Sequence, residues 1–347
     1  MPAVFVGEPL HSFRSGILRS LVPWGLAVAA AFAPAGAVRA QSLVKVDGSS
    51  TMFPVTEAVA QEFQIRKRGT ARVTVGISGT TGGFRKFCAG DTDLQDASRP
   101  IRASEMQACR EGGVSYFELP VAFDAVTVAV NPGNTWARSL TVAQLKKIWE
   151  PAAQGRVMRW SDIDSSWPNE PLVLFGPGED SGTFDFFTEA INGTVRSSRR
   201  DYTASEDDNV IVRGIEDNLY ALGYVPYAYY AAQSGRLEAV AIDSGAGPVA
   251  PLLENVANRR YTPLSRPLFI YVSARSVNRP EVRAFVEFFL QHGAPFIRQV
   301  QYLPLGERAY ALALENFRGG KLGTAYGDAE SGAGLDMEEL LGRHARL

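Results

Sequence analysis

Histidine is nearly absent from this chain, with three in 347 residues. His11 lies in the N-terminal segment, His344 lies in the C-terminal tail, and His292 ends a helical stretch before Gly293. At a helix terminus a histidine needs no role beyond capping. A serine nucleophile usually needs a histidine base, so the run Asp180-Ser181-Gly182 does not make a hydrolase. Cysteine is equally short, with Cys88 and Cys109 alone, and no cluster of metal-ligating residues appears. No metal and no cofactor is therefore expected. Charge of one sign is also missing. The chain has 35 basic and 37 acidic residues, a net charge of −2, which argues against nucleic acid as a partner. Long apolar runs are lacking too: the stretch Leu21 to Phe32 is shorter than the about 20 residues a bilayer span needs.

That short run is preceded by Arg14 and Arg19 and followed by Val38-Arg39-Ala40. The pattern is that of a secretory signal, so residues 1–40 are expected to be removed and the protein to be periplasmic. No cysteine lies at the cleavage position, which excludes a lipid anchor. Cleavage takes away three arginines and one glutamate, moving the net charge from −2 to about −4. An anion bound by such a chain must be held by local groups, because the overall field opposes it. In an oxidising compartment Cys88 and Cys109 are expected to form a disulfide. The length is ample for two lobes.

Strands alternate with helices through most of the chain, which predicts an α/β protein. Three junctions share one design. Pro171 to Phe175 reads as a buried strand, followed by Gly176-Pro177-Gly178-Glu179-Asp180-Ser181-Gly182-Thr183 and a helix from Phe184. Leu43 to Val46 leads into Gly48-Ser49-Ser50-Thr51-Met52-Phe53-Pro54 and a helix, with Ser50 or Thr51 expected as N-cap. Val73 to Ile77 leads into Ser78-Gly79-Thr80-Thr81-Gly82-Gly83 and another helix. Helix starts carry unpaired N–H groups and a positive dipole end, and hydroxyls beside glycine make a seat for a small oxyanion. In open α/β sheets ligands lie outside the carboxyl ends of strands, where all three junctions fall. Arg99, at the end of another strand, is the expected charged partner because its fork matches a tetrahedral oxyanion. Strands are also expected at Val114–Leu119, Phe123–Val130 and Leu268–Val272, and the glycine-rich last segment is expected to be a loosely docked tail.

These motifs, in order and together with Phe87-Cys88-Ala89-Gly90 and Leu222-Gly223-Tyr224, resemble the phosphate-binding proteins of bacterial phosphate ABC transporters. The resemblance covers essentially the whole chain after the signal segment. It implies a type II periplasmic binding fold, with a two-strand hinge at Phe123–Val130 and Leu268–Val272. The first lobe would comprise residues 43–124 and 268–320, the second residues 125–267, and the tail residues 321–347. Inorganic phosphate and a membrane permease would be the partners of a monomer. Phosphate contacts fall on Ser50, Thr51, Thr80, Ser181, Gly182 and Thr183, with the Met52 N–H as an alternative in the first motif. Two departures stand out. Many family members have an aspartate where this chain has Arg99, and it accepts the proton of hydrogen phosphate. They also have an arginine four residues before the last motif's serine, where this chain has Pro177. Arg99 is expected to replace that arginine, and Asp180 or Asp93 to serve as proton acceptor. Selectivity against sulfate, molybdate or arsenate is left open, as is a role as sensor or adhesion module.

Overall fold

The computed structural model describes residues 42–68, 71–233, 235–326 and 337–345. The expected signal segment, residues 1–40, lies outside the described residues. From residue 42 the elements run β1 (Ser42–Gly48), α1 (Phe53–Arg66), β2 (Ala71–Val75), α2 (Gly79–Cys88), β3 (Leu94–Ala97), α3 (Ala103–Glu111) and β4 (Tyr116–Val130). β1 pairs in parallel with β2 and β3, the pairing that crossover helices produce. One sulfur bridge, Cys88–Cys109, joins the end of α2 to α3, as expected.

The second lobe holds β5 (Ser139–Thr141), α4 (Val142–Trp149), α5 (Trp160–Ile163), β6 (Val173–Pro177), α6 (Gly182–Asn192), β7 (Thr203–Ser205), α7 (Asp208–Glu216), β8 (Ala221–Pro226) and α8 (Tyr227–Ala231). Short strands β9 (Glu238–Ala239), β10 (Ala241–Asp243) and β11 (Pro248–Val249) and helix α9 (Leu253–Ala257) complete it. The chain then returns through β12 (Ser265–Ser273), α10 (Pro280–His292), α11 (Ala294–Gln299), β13 (Leu303–Pro304), α12 (Glu307–Arg318) and α13 (Met337–Gly342).

One sheet, in the order β2-β1-β3-β12-β4-β8-β6-β7, runs through both lobes. It is continuous because β4 is long enough to serve both: its first part pairs antiparallel with β12 and its last part with β8. Two separate strands, Val114–Leu119 and Phe123–Val130, were expected here. Instead Pro120 sits beside a register shift opposite Leu268 and Phe269, a bulge of the kind that tolerates proline within a sheet. β12 begins at Ser265, earlier than the expected Leu268. The apolar cores divide at these strands. One draws on residues up to Ala122 and from Leu268 onward, with Ala228 of α8 added; the other draws on Ala125 through Leu264.

The tail corrects an expectation. Within its described part, Met337, Leu340 and Leu341 of α13 are buried in the first lobe's core. Asn316 Nδ2 and Lys321 Nζ both donate to the Leu341 carbonyl, and Glu118 accepts from the Ala325 N–H. The glycine-rich composition hid a short amphipathic segment that the core needs.

Candidate functional site

The hydroxyls of the first junction are not spent on helix capping. α1 is preceded by Met52 at the N-cap position, with no side-chain cap, so neither Ser50 nor Thr51 plays the expected role. The turn closes on Ser49 instead, whose carbonyl accepts from the Met52 and Phe53 N–H groups. Gly48, at φ +138°, leaves no room for a Cβ beside the Asp96 backbone, which forces glycine there. Ser50 and Thr51 are thereby buried with their hydroxyls directed elsewhere. Two tyrosines fix the turn: Tyr229 of α8 donates to the Ser50 carbonyl and Tyr302 donates to that of Thr51, at 2.9 Å and 2.8 Å.

The other junctions converge on it. α2 begins at Gly79, so Thr80 lies in its first turn; the Thr80 hydroxyl accepts from the Ser98 N–H and bonds the Ser98 hydroxyl. Ser181 caps α6 by accepting from the Thr183 N–H at 3.1 Å. A Cβ on Gly182 would collide with the hydroxyls of Thr80 and Ser98, so the two lobes touch at that glycine. Thr51 and Thr183, from opposite lobes, stand 3.1 Å apart, hydroxyl to hydroxyl. Ser50, Thr51, Thr80, Ser181, Gly182 and Thr183 are thus brought to one buried place.

The guanidinium there belongs to Arg266, a residue the sequence reading missed. It is 1% exposed and lies on β12, directly opposite Asp124 of β4 in the strand register. Its Nε and Nη2 donate to Asp124 Oδ2 at 3.1 Å and 2.9 Å. Its Nη2 also reaches the hydroxyls of Thr183, at 2.8 Å, and Thr51, at 3.1 Å, and its Nη1 reaches the Gly182 carbonyl. Burial pushes the Asp124 carboxyl up, and Arg266 draws it back. A partial signal was available: Asp124 is the one charged residue within the expected hinge strand Phe123–Val130, whereas Arg266 lies two residues before the other expected strand, Leu268–Val272.

Arg99 goes elsewhere. Its Nε donates to Asp185 at 2.9 Å, and both terminal nitrogens grip Glu105, at 2.8 Å and 2.7 Å. The remaining donors take the Pro100 carbonyl and the Thr81 hydroxyl. Five N–H groups have five protein acceptors, which leaves nothing for an anion. Asp185 of α6, wholly buried, also receives Arg102 and Arg196, each at 3.0 Å. Burial alone would raise its carboxyl, but Arg99, Arg102 and Arg196 together hold it below its ordinary value. The Arg99–Asp185 contact spans the two lobes and fastens them.

Neither expected proton acceptor faces the hydroxyl cluster. Asp180 forms a two-pronged pair with Arg85 at the cleft mouth, at 3.0 Å and 2.8 Å, and that hydrogen bond lowers its pKa. Asp93 precedes β3, at the end remote from Ser98, where it pairs with Arg279, Ser276 and the Lys45 N–H.

Two lobes closing on a cleft at the ends of parallel strands define a binding protein rather than a scaffold. Residues 33–292 match the family model of the PBP superfamily domain. The chain is 46% identical to the protein SphX of a Synechocystis strain, over 95% of this chain and 98% of that one. It is 34% identical to the phosphate-binding protein PstS of Staphylococcus haemolyticus, over 79% of this chain and 84% of that one. A crystal structure described as a possible phosphate binding protein from Planctomyces limnophilus shares 43% identity with a TM-score of 0.60, covering 80% of this chain and 98% of that chain. The chain belongs to the PBP superfamily, and within it to the family that contains these SphX and PstS proteins.

Proposed function

We propose that the mature protein binds inorganic phosphate in the cleft and delivers it to the membrane permease of a phosphate ABC transporter. The observation that carries this reading is Arg266: a wholly buried guanidinium whose ligands include hydroxyls from both lobes. Hydroxyls that accept from Arg266 can turn to donate to an oxyanion, and hydrogen bonds to a charged group contribute about 1.5–3 kcal/mol each. Thr51, Thr80, Ser181, Gly182 and Thr183 would surround the anion, with Ser50 beside them. Opening and closing would occur about β4 and β12.

The protein would act as a periplasmic monomer and perform no covalent chemistry. No helix among the described residues is long and apolar enough to cross a membrane. Calorimetric titration of the mature protein, freed of ligand, tests the reading. Tight binding of one phosphate, lost in Arg266→Ala, is expected, with no turnover of a chromogenic phosphate ester. A flat titration of the folded wild type would refute it.

A further inference from the structure

A cavity of about 330 Å³ lies beside the Asp185 cluster, where the two lobes meet. Phe84 and Arg85 of α2, with Arg102, Ser104 and Ala108 at and after the start of α3, line it from the first lobe. Arg196 lines it from the second. None of Ser50, Thr51, Thr183 or Arg266 does, so it is distinct from the hydroxyl cluster. Its size falls within the roughly 300–1,000 Å³ of small-molecule sites.

Arg102 is the underused donor there. Among the described residues its one side-chain partner is Asp185 Oδ2, at 3.0 Å, and its Nη2 is buried with no acceptor. That carboxylate oxygen already receives Arg99 Nε and the Thr81 hydroxyl. A carboxylate oxygen has about two lone pairs, so Arg102 is surplus to Asp185 and can turn to another acceptor without orphaning it. Burial, with Arg99 and Arg196 close by, holds the Arg102 guanidinium below its ordinary value against the pull of Asp185 and Glu105. Glu105 is gripped by both terminal nitrogens of Arg99, and Asp180 by Arg85. Glu189 also lies near Arg102, and burial pushes its carboxyl up. Arg196 is placed deliberately: its φ of +61° is left-handed backbone, a conformation that costs a side-chain-bearing residue about 1–3 kcal/mol.

We propose that this cavity is a second anion site, which takes the phosphate group of a small phosphate monoester between Arg102 and Arg196 and thereby favours the closed form of the cleft. Two forked guanidiniums with Arg85 beside them suit a group of about two negative charges and three acceptor oxygens better than a carboxylate. Phe84 and Ala108 supply apolar wall for its organic part. Because the two arginines belong to opposite lobes, the complete site exists only when the lobes are closed. A ligand that binds one state alone shifts the equilibrium toward it, so the ester should raise the affinity for inorganic phosphate. This rests on the reading of the cleft as a phosphate site that opens and closes.

The test is calorimetric titration of the mature protein with inorganic phosphate, with and without excess glucose 6-phosphate freed of inorganic phosphate, at matched ionic strength. The ester should raise phosphate affinity by roughly 5-fold or more, and phosphate should raise the affinity for the ester by the same factor. Arg102→Gln should abolish this coupling. Ser104→Asp, at the exposed rim, should abolish it too while leaving phosphate binding without the ester unchanged, and it decides the matter if Arg102→Gln does not fold. No coupling in the wild type, or competition between the two ligands, overturns the inference and leaves the phosphate reading intact. Coupling that survives in both variants also overturns it, and an equal effect from gluconate overturns the assignment to a phosphate ester. A wild type that binds no phosphate when titrated alone removes the parent reading itself.

Discussion

Arg99 and Arg266 are both buried, both lie at the cleft, and both are paired with carboxylates, yet the acceptors they face differ in kind. Arg99 meets two carboxylates, a carbonyl and one hydroxyl, so four of its five bonds go to acceptors that have no proton to offer an anion. Arg266 meets one carboxylate, a carbonyl and two hydroxyls from opposite lobes. A hydroxyl both accepts and donates, so it can pass from arginine to anion without being left unpaired. Burial and charge alone do not separate a clasp from a ligand site. The exchangeability of the partners does.

The largest effect should come from Arg266→Lys. Lysine keeps the charge but not the fork, and two charge-assisted hydrogen bonds at about 1.5–3 kcal/mol each correspond to a loss of roughly 100-fold or more in phosphate affinity. Arg99→Lys should weaken binding much less, because Arg99 acts on closure. Titration calorimetry of the two variants side by side checks this, and a reversed order would break the comparison. Next is Thr183→Val, which removes one hydroxyl that faces both Thr51 and Arg266; about a 10-fold loss of affinity is expected.

Asp185→Asn tests the clasp. Closure would be less favoured, and apparent affinity falls with the fraction of protein able to close, by an expected ~10-fold. The phosphate-to-sulfate ratio should not move, because Asp185 acts on closure rather than on the anion. The sign of the pH effect follows from the depressed Asp185 carboxyl. Its contribution is present above the ordinary carboxylate pKa and is lost as the pH falls through the lowered value. Wild-type closure, followed by small-angle scattering with phosphate present, should therefore persist through mildly acidic pH and fail only in stronger acid.

Much of the fold was legible because local chemistry and tertiary structure agree. Thr141 caps α4 with its hydroxyl accepting from the Gln144 N–H, as its position predicts. Pro280 opens α10, and β8 turns into α8 after Pro226. The hydroxyl and glycine junctions were legible for the same reason. The identity of the arginine was not, because strand periodicity cannot show which charged residues face each other across β4 and β12; that requires the register Arg266↔Asp124. Arg99 was expected at the anion because a forked guanidinium at a strand end suits an oxyanion, and the sequence could not show that Glu105 and Asp185 occupy its donors. The chain position of Asp185, inside an apolar helix start, gave no hint that three arginines surround it.

The smallest effect belongs to an interlobe ion pair outside the Asp185 cluster. Arg85 and Asp180 meet in good two-pronged geometry, but their side chains are 64% and 40% exposed. Solvent screens such a pair, and exposed pairs typically contribute about 0–1 kcal/mol. Arg85→Ala should therefore lower phosphate affinity by no more than about 3-fold, and raised salt should erase most of that difference. A buried clasp is far less sensitive to salt, so Asp185→Asn should keep its deficit under the same conditions. If instead both deficits vanish with salt, the Asp185 cluster is solvated in solution, and Arg99 is freer to meet an anion than its five acceptors suggest.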